Sequence, residues 1–253
     1  MNLQSHVGKI RGSFKNKDNR TAKLLENWEI IRKLMEHLIT QGNGNTLRAR
    51  CAYGVLLMME TGIRIGNEES ASGYICGQKH HASFGKTINV YGLTTLRKQH
   101  AYISVSGKLV LNFLGKKAVE QNLRTSNNIL LQYFHAVSRH NLPTWLGITY
   151  SDIYKFVKKS IGKKYKPKDI RTAAVNILFL HKIQASKILQ TSFQRKSDAN
   201  KALKLVVQAT ANEIGHTAGV CKSAYLSKSL QSVIKETLIE KAKKARQLAK
   251  ARR

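Results

Sequence analysis

With 44 lysines and arginines against 14 aspartates and glutamates, this chain of 253 residues carries a formal net charge of +30. A charge that large repels itself on compaction, so folding calls for a solid apolar core and function calls for a polyanionic partner. The core is available. Hydrophobic residues make up 42% of the chain, and the length admits one substantial domain with extensions. Nucleic acid is the first candidate partner and an acidic membrane surface the second. On charge alone a structural RNA-binding protein fits equally well. Only two prolines interrupt the chain, which suits a mainly helical fold. No apolar run approaches the ~20 residues of a membrane helix. Residues 1–20 are polar and basic, with no apolar block of the signal-peptide kind. Cys51, Cys76 and Cys221 are odd in number and widely spaced, which points to a reducing compartment and no disulfide framework. The expected setting is soluble, intracellular and away from membranes.

Periodicity orders the chain as follows. Residues 1–20 form a basic arm with no apolar period. Leu24, Trp28, Ile31, Met35 and Leu38 recur at three and four, predicting an amphipathic helix over 21–40. Residues 41–45 turn, and Thr46 opens a second helix that ends near Gly62. Alternation over 102–105 and 109–113, then 119–123, predicts a small three-stranded antiparallel sheet with turns at Ser106-Gly107 and at 115–118. Helices are expected from Asn127 to about His140, from an N-cap at Ser151, from near Pro167, and over 203–214 up to Gly215. Residues 184–201 read as a loop or broken helix. From Ser232 a basic helical extension runs to Arg253, leaving 21–231 as the main domain.

Five residues stand out in this frame. Arg64 follows the second helix in Gly62-Ile-Arg64-Ile-Gly-Asn-Glu68, and Lys116 sits at a hairpin tip in Phe113-Leu-Gly-Lys116-Lys117. Arg171 falls in an early helical turn in Lys168-Asp-Ile-Arg171-Thr172. His216 follows Gly215, and Tyr225 comes nine residues later. Each has an ordinary reading: a surface arginine paired with Glu68 or Glu69, a solubilising turn lysine, a helix-end histidine, a core tyrosine. Together, two arginines, a lysine, a histidine and a tyrosine can hold a phosphodiester and attack it.

The order and wording of these segments resemble type IB DNA topoisomerases, most closely the short poxvirus-like and bacterial forms. The segment Tyr91-Gly-Leu-Thr-Thr-Leu-Arg-Lys-Gln-His100 strengthens the likeness, which runs from about Asn45 to about Leu230. The resemblance implies the catalytic-core fold of DNA breaking-rejoining enzymes, mainly α with the small sheet. It implies that Tyr225 attacks a phosphate of double-stranded DNA to give a 3′-phosphotyrosine and a free 5′-hydroxyl. A phenol with the usual pKa of about 10 is a poor nucleophile at neutral pH, so it needs help. Arg64 and Arg171 would bind the non-bridging oxygens with fixed forks of donors, and His216 would add a hydrogen bond. Lys116 would protonate the leaving 5′-oxygen. Lys117, Arg97, Lys98, Lys168 and Lys222 are assigned to DNA binding. The phosphotyrosine conserves the energy of the broken bond, so rejoining needs no ATP.

No cofactor or metal is expected. Gly85-Lys86-Thr87 lacks the glycine six residues before the lysine that a phosphate loop requires, since that position holds His80. Cys76, His80 and His81, in a polar insertion over 70–89, fall short of the four ligands of a structural zinc site. Acid content is too low for a Mg²⁺ cluster.

Tyrosine recombinases share the implied fold and a related residue set, but they usually carry a histidine two residues before the second arginine. Here that position is Asp169. A non-catalytic basic binder would explain the charge and not the five residues. The family also usually has a β-rich N-terminal domain forming half of a clamp around DNA. Only about 60 residues precede Arg64, so that half is expected to be missing or supplied by a separate chain, with one copy acting as a monomer on DNA.

Overall fold

The computed structural model describes residues 17–77, 82–193 and 195–251. His80, His81 and most of the expected basic arm lie outside them. The chain forms two compact units, one of residues 27–174 and one combining 175–251 with 17–26.

The expected first helix is two helices, α1 (Lys17–Glu26) and α2 (Trp28–Gln41). Asn27 separates them at φ −100°, ψ 11°, off helical values. In the 27–174 unit, α2 leads through the turn at 42–46 into α3 (Leu47–Thr61). Thr46 caps α3 by accepting the Ala49 N–H at 3.1 Å. Gly62 ends it in the left-handed region, φ 64°, with its N–H on the Met58 carbonyl at 3.0 Å. Every residue from Cys51 to Met59 is buried, so α3 is the axis of this unit. It packs against α2, against α6 (Tyr150–Ser160) and against the third strand of the sheet.

The insertion over 70–89 holds structure that periodicity did not reveal. Short α4 (Glu68–Ser72) is followed by a two-stranded ribbon pairing β1 (Tyr74–Ile75) with β2 (Thr87–Ile88). The three-stranded antiparallel sheet follows in the order β3 (Ala101–Ile103), β4 (Leu109–Gly115), β5 (Val119–Thr125). Leu109, Leu111, Phe113 and Leu123 share one buried face, and Val110 is buried on the other. Strand β3 stops at Ile103 because Ser104 closes the turn, its N–H on the Lys108 carbonyl at 2.8 Å.

Two helix expectations give way to local chemistry. The segment after Asn127 is helical only over α5 (Asn128–Gln132), with one 3₁₀ turn at Ala136–Ser138. Phe134 packs on Trp145 there, ring centroids 5.7 Å apart, which the straight helix does not provide. Thr149, not Ser151, caps α6: its hydroxyl accepts the Asp152 N–H at 3.2 Å and the Asp152 carboxylate accepts the Thr149 N–H at 2.9 Å. That reciprocal box needs an acidic residue three positions on, and Ser151 has Tyr154 there.

α7 (Pro167–Ala185) begins with proline in its first position, and Asp169 reaches back to accept the Lys166 N–H at 2.9 Å. The second unit gathers the later turns of α7, α8 (Lys196–Glu213) and α9 (Lys228–Ala251). Phe179 and Ile183, Val207 and Ala211, and Leu230, Ile234 and Leu238 meet in one apolar cluster. α8 therefore starts inside the stretch expected as loop, with Ala199 already in that cluster. α9 runs unbroken through Ser232, and its buried residues continue to Ala242. The start of the basic extension is thus core-forming helix.

Candidate active site

Arg64 is held by its backbone. It is half-buried just past the Gly62 cap, after fully buried Ile63. Its carbonyl accepts the Leu93 N–H at 2.7 Å, and the Ile65 carbonyl accepts both the Thr94 N–H and the Thr94 hydroxyl at 2.8 Å. The two segments cross at a pair of glycines. A Cβ on Gly92 would stand 2.6 Å from the Gly66 N and Cα and 2.8 Å from the Arg64 carbonyl oxygen, so a larger residue would force this backbone to shift. Leu93 in turn packs at Gly54 of α3, where an added Cβ would lie 3.2 Å from its Cδ2. At the other end of the same segment, the Tyr91 N–H donates to the Leu114 carbonyl at 2.7 Å. Leu114 is two residues before Lys116. Residues 91–96 therefore brace both the Arg64 loop and the end of β4.

Lys116 is exposed at the tip between β4 and β5, where Gly115 pairs with Val119. Lys117 (φ 66°) and Ala118 (φ 59°) both take left-handed backbone, which costs non-glycine residues roughly 1–2 kcal/mol each. Ala118 is buried, which ties the tip down while the two lysine side chains stay in solvent. Arg171 lies in the second turn of α7 and is 5% exposed, between buried Ile170 and Ala173.

In the second unit, the wording Gly215-His216 is a helix stop. The Gly215 N–H bonds the Asn212 carbonyl at 3.2 Å and the His216 N–H bonds the Ala211 carbonyl at 2.8 Å, with Gly215 at φ 65°. This pair of bonds is the Schellman closure of α8, so the imidazole projects from a fixed point. Thr217 then caps the turn Ala218–Val220, which passes into a π-turn over Cys221–Tyr225 closed by the Leu226 N–H on the Cys221 carbonyl at 3.0 Å. The wider π-turn recurs at functional sites. It brings the Tyr225 ring to 5.0 Å from the His216 ring, centroid to centroid.

Asn176 secures this turn, and sequence reasoning missed it. Its side chain is fully buried; Nδ2 donates to the Tyr225 carbonyl at 2.9 Å and Oδ1 accepts the Ser227 N–H at 2.9 Å. Gln231 adds bonds to the Lys222 and Leu226 carbonyls at 3.1 and 3.2 Å. The available signal was an amide alone in the apolar run Ala173-Ala-Val-Asn176-Ile-Leu178.

A family model described as eukaryotic DNA topoisomerase I, catalytic core, matches residues 8–252. This chain belongs to that family. DNA topoisomerase 1B of Acanthamoeba polyphaga mimivirus is 23% identical over 234 residues, covering 86% of this chain and 64% of the relative. DNA topoisomerase 1B of vaccinia virus (strain Copenhagen) is 26% identical over 155 residues, 60% of this chain and 47% of the relative. DNA topoisomerase 1 of rabbit fibroma virus is 25% identical over 183 residues, 70% and 52%. The chain thus spans about half to two thirds of the length of these topoisomerases.

The cations assigned to DNA binding line the surface of this topoisomerase core. Arg97, Lys98, Lys117, Lys168 and Lys222 are all exposed. Arg97 sits over the Tyr91 ring at 5.8 Å, and Lys98 donates to the His140 carbonyl at 3.2 Å. The His100 ring lies tilted against Tyr91, centroids 4.3 Å apart, and its Nδ1 accepts the Arg97 N–H at 3.0 Å. Burial and the Arg97 charge lower the His100 pKa. Burial also lowers that of His140, with Arg50 and Lys98 adding to it against the bond to the Trp145 carbonyl. Cys76 is buried, and among the described residues no three His, Cys, Asp or Glu side chains gather as metal ligands would.

Proposed function

We propose that this chain relaxes supercoiled duplex DNA as a type IB topoisomerase, with Tyr225 as the nucleophile. The observation that carries the reading is the Tyr225 ring beside His216, on a turn whose backbone Asn176 fixes. Family membership supports it, as does the net charge of +30.

In this mechanism the Tyr225 oxygen attacks phosphorus and its proton passes to solvent. The P–O5′ bond breaks, a 3′-phosphotyrosine forms, and Lys116 donates a proton to the departing 5′-oxygen. Arg64 and Arg171 bind the non-bridging oxygens as charge builds on them, and His216 donates to one of them. Donors on rigid backbone need no reorganisation at that moment, and the Gly66–Gly92 crossing and the α7 scaffold provide such backbone for the two arginines. While the 5′ end is free, the strand rotates about its partner and torsion is lost. Reversal of the same step reseals the strand.

Incubation with supercoiled plasmid in EDTA is the test. Relaxation by the wild-type chain, its loss in Tyr225→Phe, and a denaturant-stable protein–DNA adduct only in the former support the reading. Exchange between specific sites would make the chain a recombinase. Gel retardation without relaxation would make it a binding protein.

A further inference from the structure

Helix α6 presents a column of rings and charge that the cleavage chemistry does not use. Tyr150 and Tyr154 stack with centroids 6.0 Å apart and planes 20° from parallel. Lys158 places its Nζ 4.6 Å from the Tyr154 ring centre. The three residues are four apart, so they share one stripe of the helix. The buried stripe is a different one, formed by Ile153, Phe156 and Val157. Tyr150 is 49% exposed, so packing does not account for its ring. Helical side chains lean toward the N-terminus. The column therefore builds from Lys158 through Tyr154 and ends on Tyr150, at the first residue of the helix.

Charge surrounds this column. Residues 150–168 contain seven lysines and one acid. The acid, Asp152, is occupied by the Thr149 capping box. Lys155, Lys159, Lys163 and Lys164 are exposed. A partner that satisfies both features needs flat faces to stack and regularly spaced negative charge. Unpaired nucleotides have both. A duplex has the charge, but its base faces are already stacked on each other. A lipid headgroup or an acidic peptide has charge without the flat ring.

We propose that the Tyr150–Tyr154–Lys158 column is a single-stranded nucleic-acid site, with a base stacking on Tyr150 and its flanking phosphates on Lys155, Lys159 and Lys163. The site stands apart from the cleavage reading, since none of the five residues assigned to that chemistry belongs to it.

The test uses the full chain, an oligothymidylate, and a duplex of the same length, at salt high enough to suppress loose phosphate binding. Tyr150→Trp supplies a reporter, because the native Trp28 and Trp145 are buried. Its emission is expected to be quenched by the single strand. Tyr150→Ala should weaken single-strand binding about tenfold, as loss of one stacking platform does, while duplex binding holds within about twofold. Tyr150→Phe, which keeps the ring, should bind like wild type. Equal losses for both DNAs in Tyr150→Ala would overturn the proposal in favour of plain phosphate binding. So would an unchanged single-strand affinity, or a loss in Tyr150→Phe as large as in Tyr150→Ala. Plasmid relaxation by Tyr150→Ala, measured beside these titrations, keeps a failure of this site distinct from a failure of the cleavage reading.

Discussion

The buried amide of Asn176 donates to the backbone carbonyl of Tyr225 at 2.9 Å and takes the Ser227 N–H at the same distance. It therefore bridges the break between the π-turn and α9, and sets where the tyrosine leaves the backbone.

Asn176→Ala removes one hydrogen bond to the part-buried Tyr225 carbonyl and one from the buried Ser227 N–H. Each loss costs about 1–3 kcal/mol, so the variant should melt earlier in denaturant. At a temperature where it stays folded, covalent-complex formation should fall by at least about tenfold, since a misplaced nucleophile loses its near-attack geometry. Duplex affinity should not change. Single-turnover cleavage of a short duplex beside a binding titration separates the two, and unchanged cleavage would remove Asn176 from the positioning role.

Gly92→Ala tests the brace on Arg64. The added methyl would press on the Gly66 backbone and the Arg64 carbonyl at 2.6–2.8 Å, against atoms that cannot rotate away. Overpacking of this kind costs about 1–3 kcal/mol. Cleavage should drop on the order of 10² if Arg64 is displaced from the phosphate, comparable to Arg64→Ala. A variant that is destabilised yet cleaves at the wild-type rate would show the brace to be structural only.

Lys116→Ala should lose cleavage on an ordinary duplex and recover it on one whose 5′-bridging oxygen is replaced by sulfur. A thiolate leaves without a proton, so the general acid becomes dispensable. Absence of that rescue would transfer the acid role elsewhere, with exposed Lys117 the neighbour to examine.

Four helix ends were legible because they depend on neighbours in sequence. Thr46, Gly62, Pro167 and Gly215 each act within a turn of their own position. The five residues assigned to cleavage could be named from their local wording, but what holds them could not. Asn176 is 49 residues from the carbonyl it binds, and Leu93 is 29 from the one it fixes at Arg64. Periodicity carries no information about such pairs. The same applies to Phe134, whose packing on Trp145 shortens α5, and to α9, whose lysine-rich surface hides a buried stripe of Leu230, Ile234, Leu238 and Ala242.

Acid should destabilise the fold through His100 and His140. Both have lowered pKa values in the folded chain, mainly from burial. The unfolded chain then takes up protons first as pH falls. The stability they contribute is complete above the usual histidine pKa of about 6.5 and is lost as pH drops through the lower folded values. Geometry agrees: His140 Nδ1 accepts the Leu142 N–H at 3.1 Å, and protonation would turn that acceptor into a donor. Thermal melts between about pH 7 and pH 5 should show a falling midpoint, with a shallower fall in His140→Gln. Parallel curves for the two proteins would exclude His140 from the effect.

The two halves of α9 should separate under truncation. Residues 243–253 contain Lys243, Lys244, Arg246, Lys250, Arg252 and Arg253 and no acid. Lys241, just before them, bonds the Leu189 carbonyl, and Leu238 and Ala242 are buried. Removing 243–253 should therefore leave the melt nearly unchanged. It should flatten the dependence of DNA affinity on salt, by about 0.9 in log–log slope for each phosphate that the shortened helix no longer neutralises. Cleavage of a short duplex at saturating enzyme should persist, since none of the five assigned residues lies there. Removing 235–253 also strips Leu238 from the core, worth about 1.5–3 kcal/mol for a buried leucine, and should lower the melt as well. Salt titrations and melts on the two truncations decide the matter. If the shorter cut abolished cleavage in a folded protein, the end of α9 would belong to the active site, and its lysines would do more than bind phosphates.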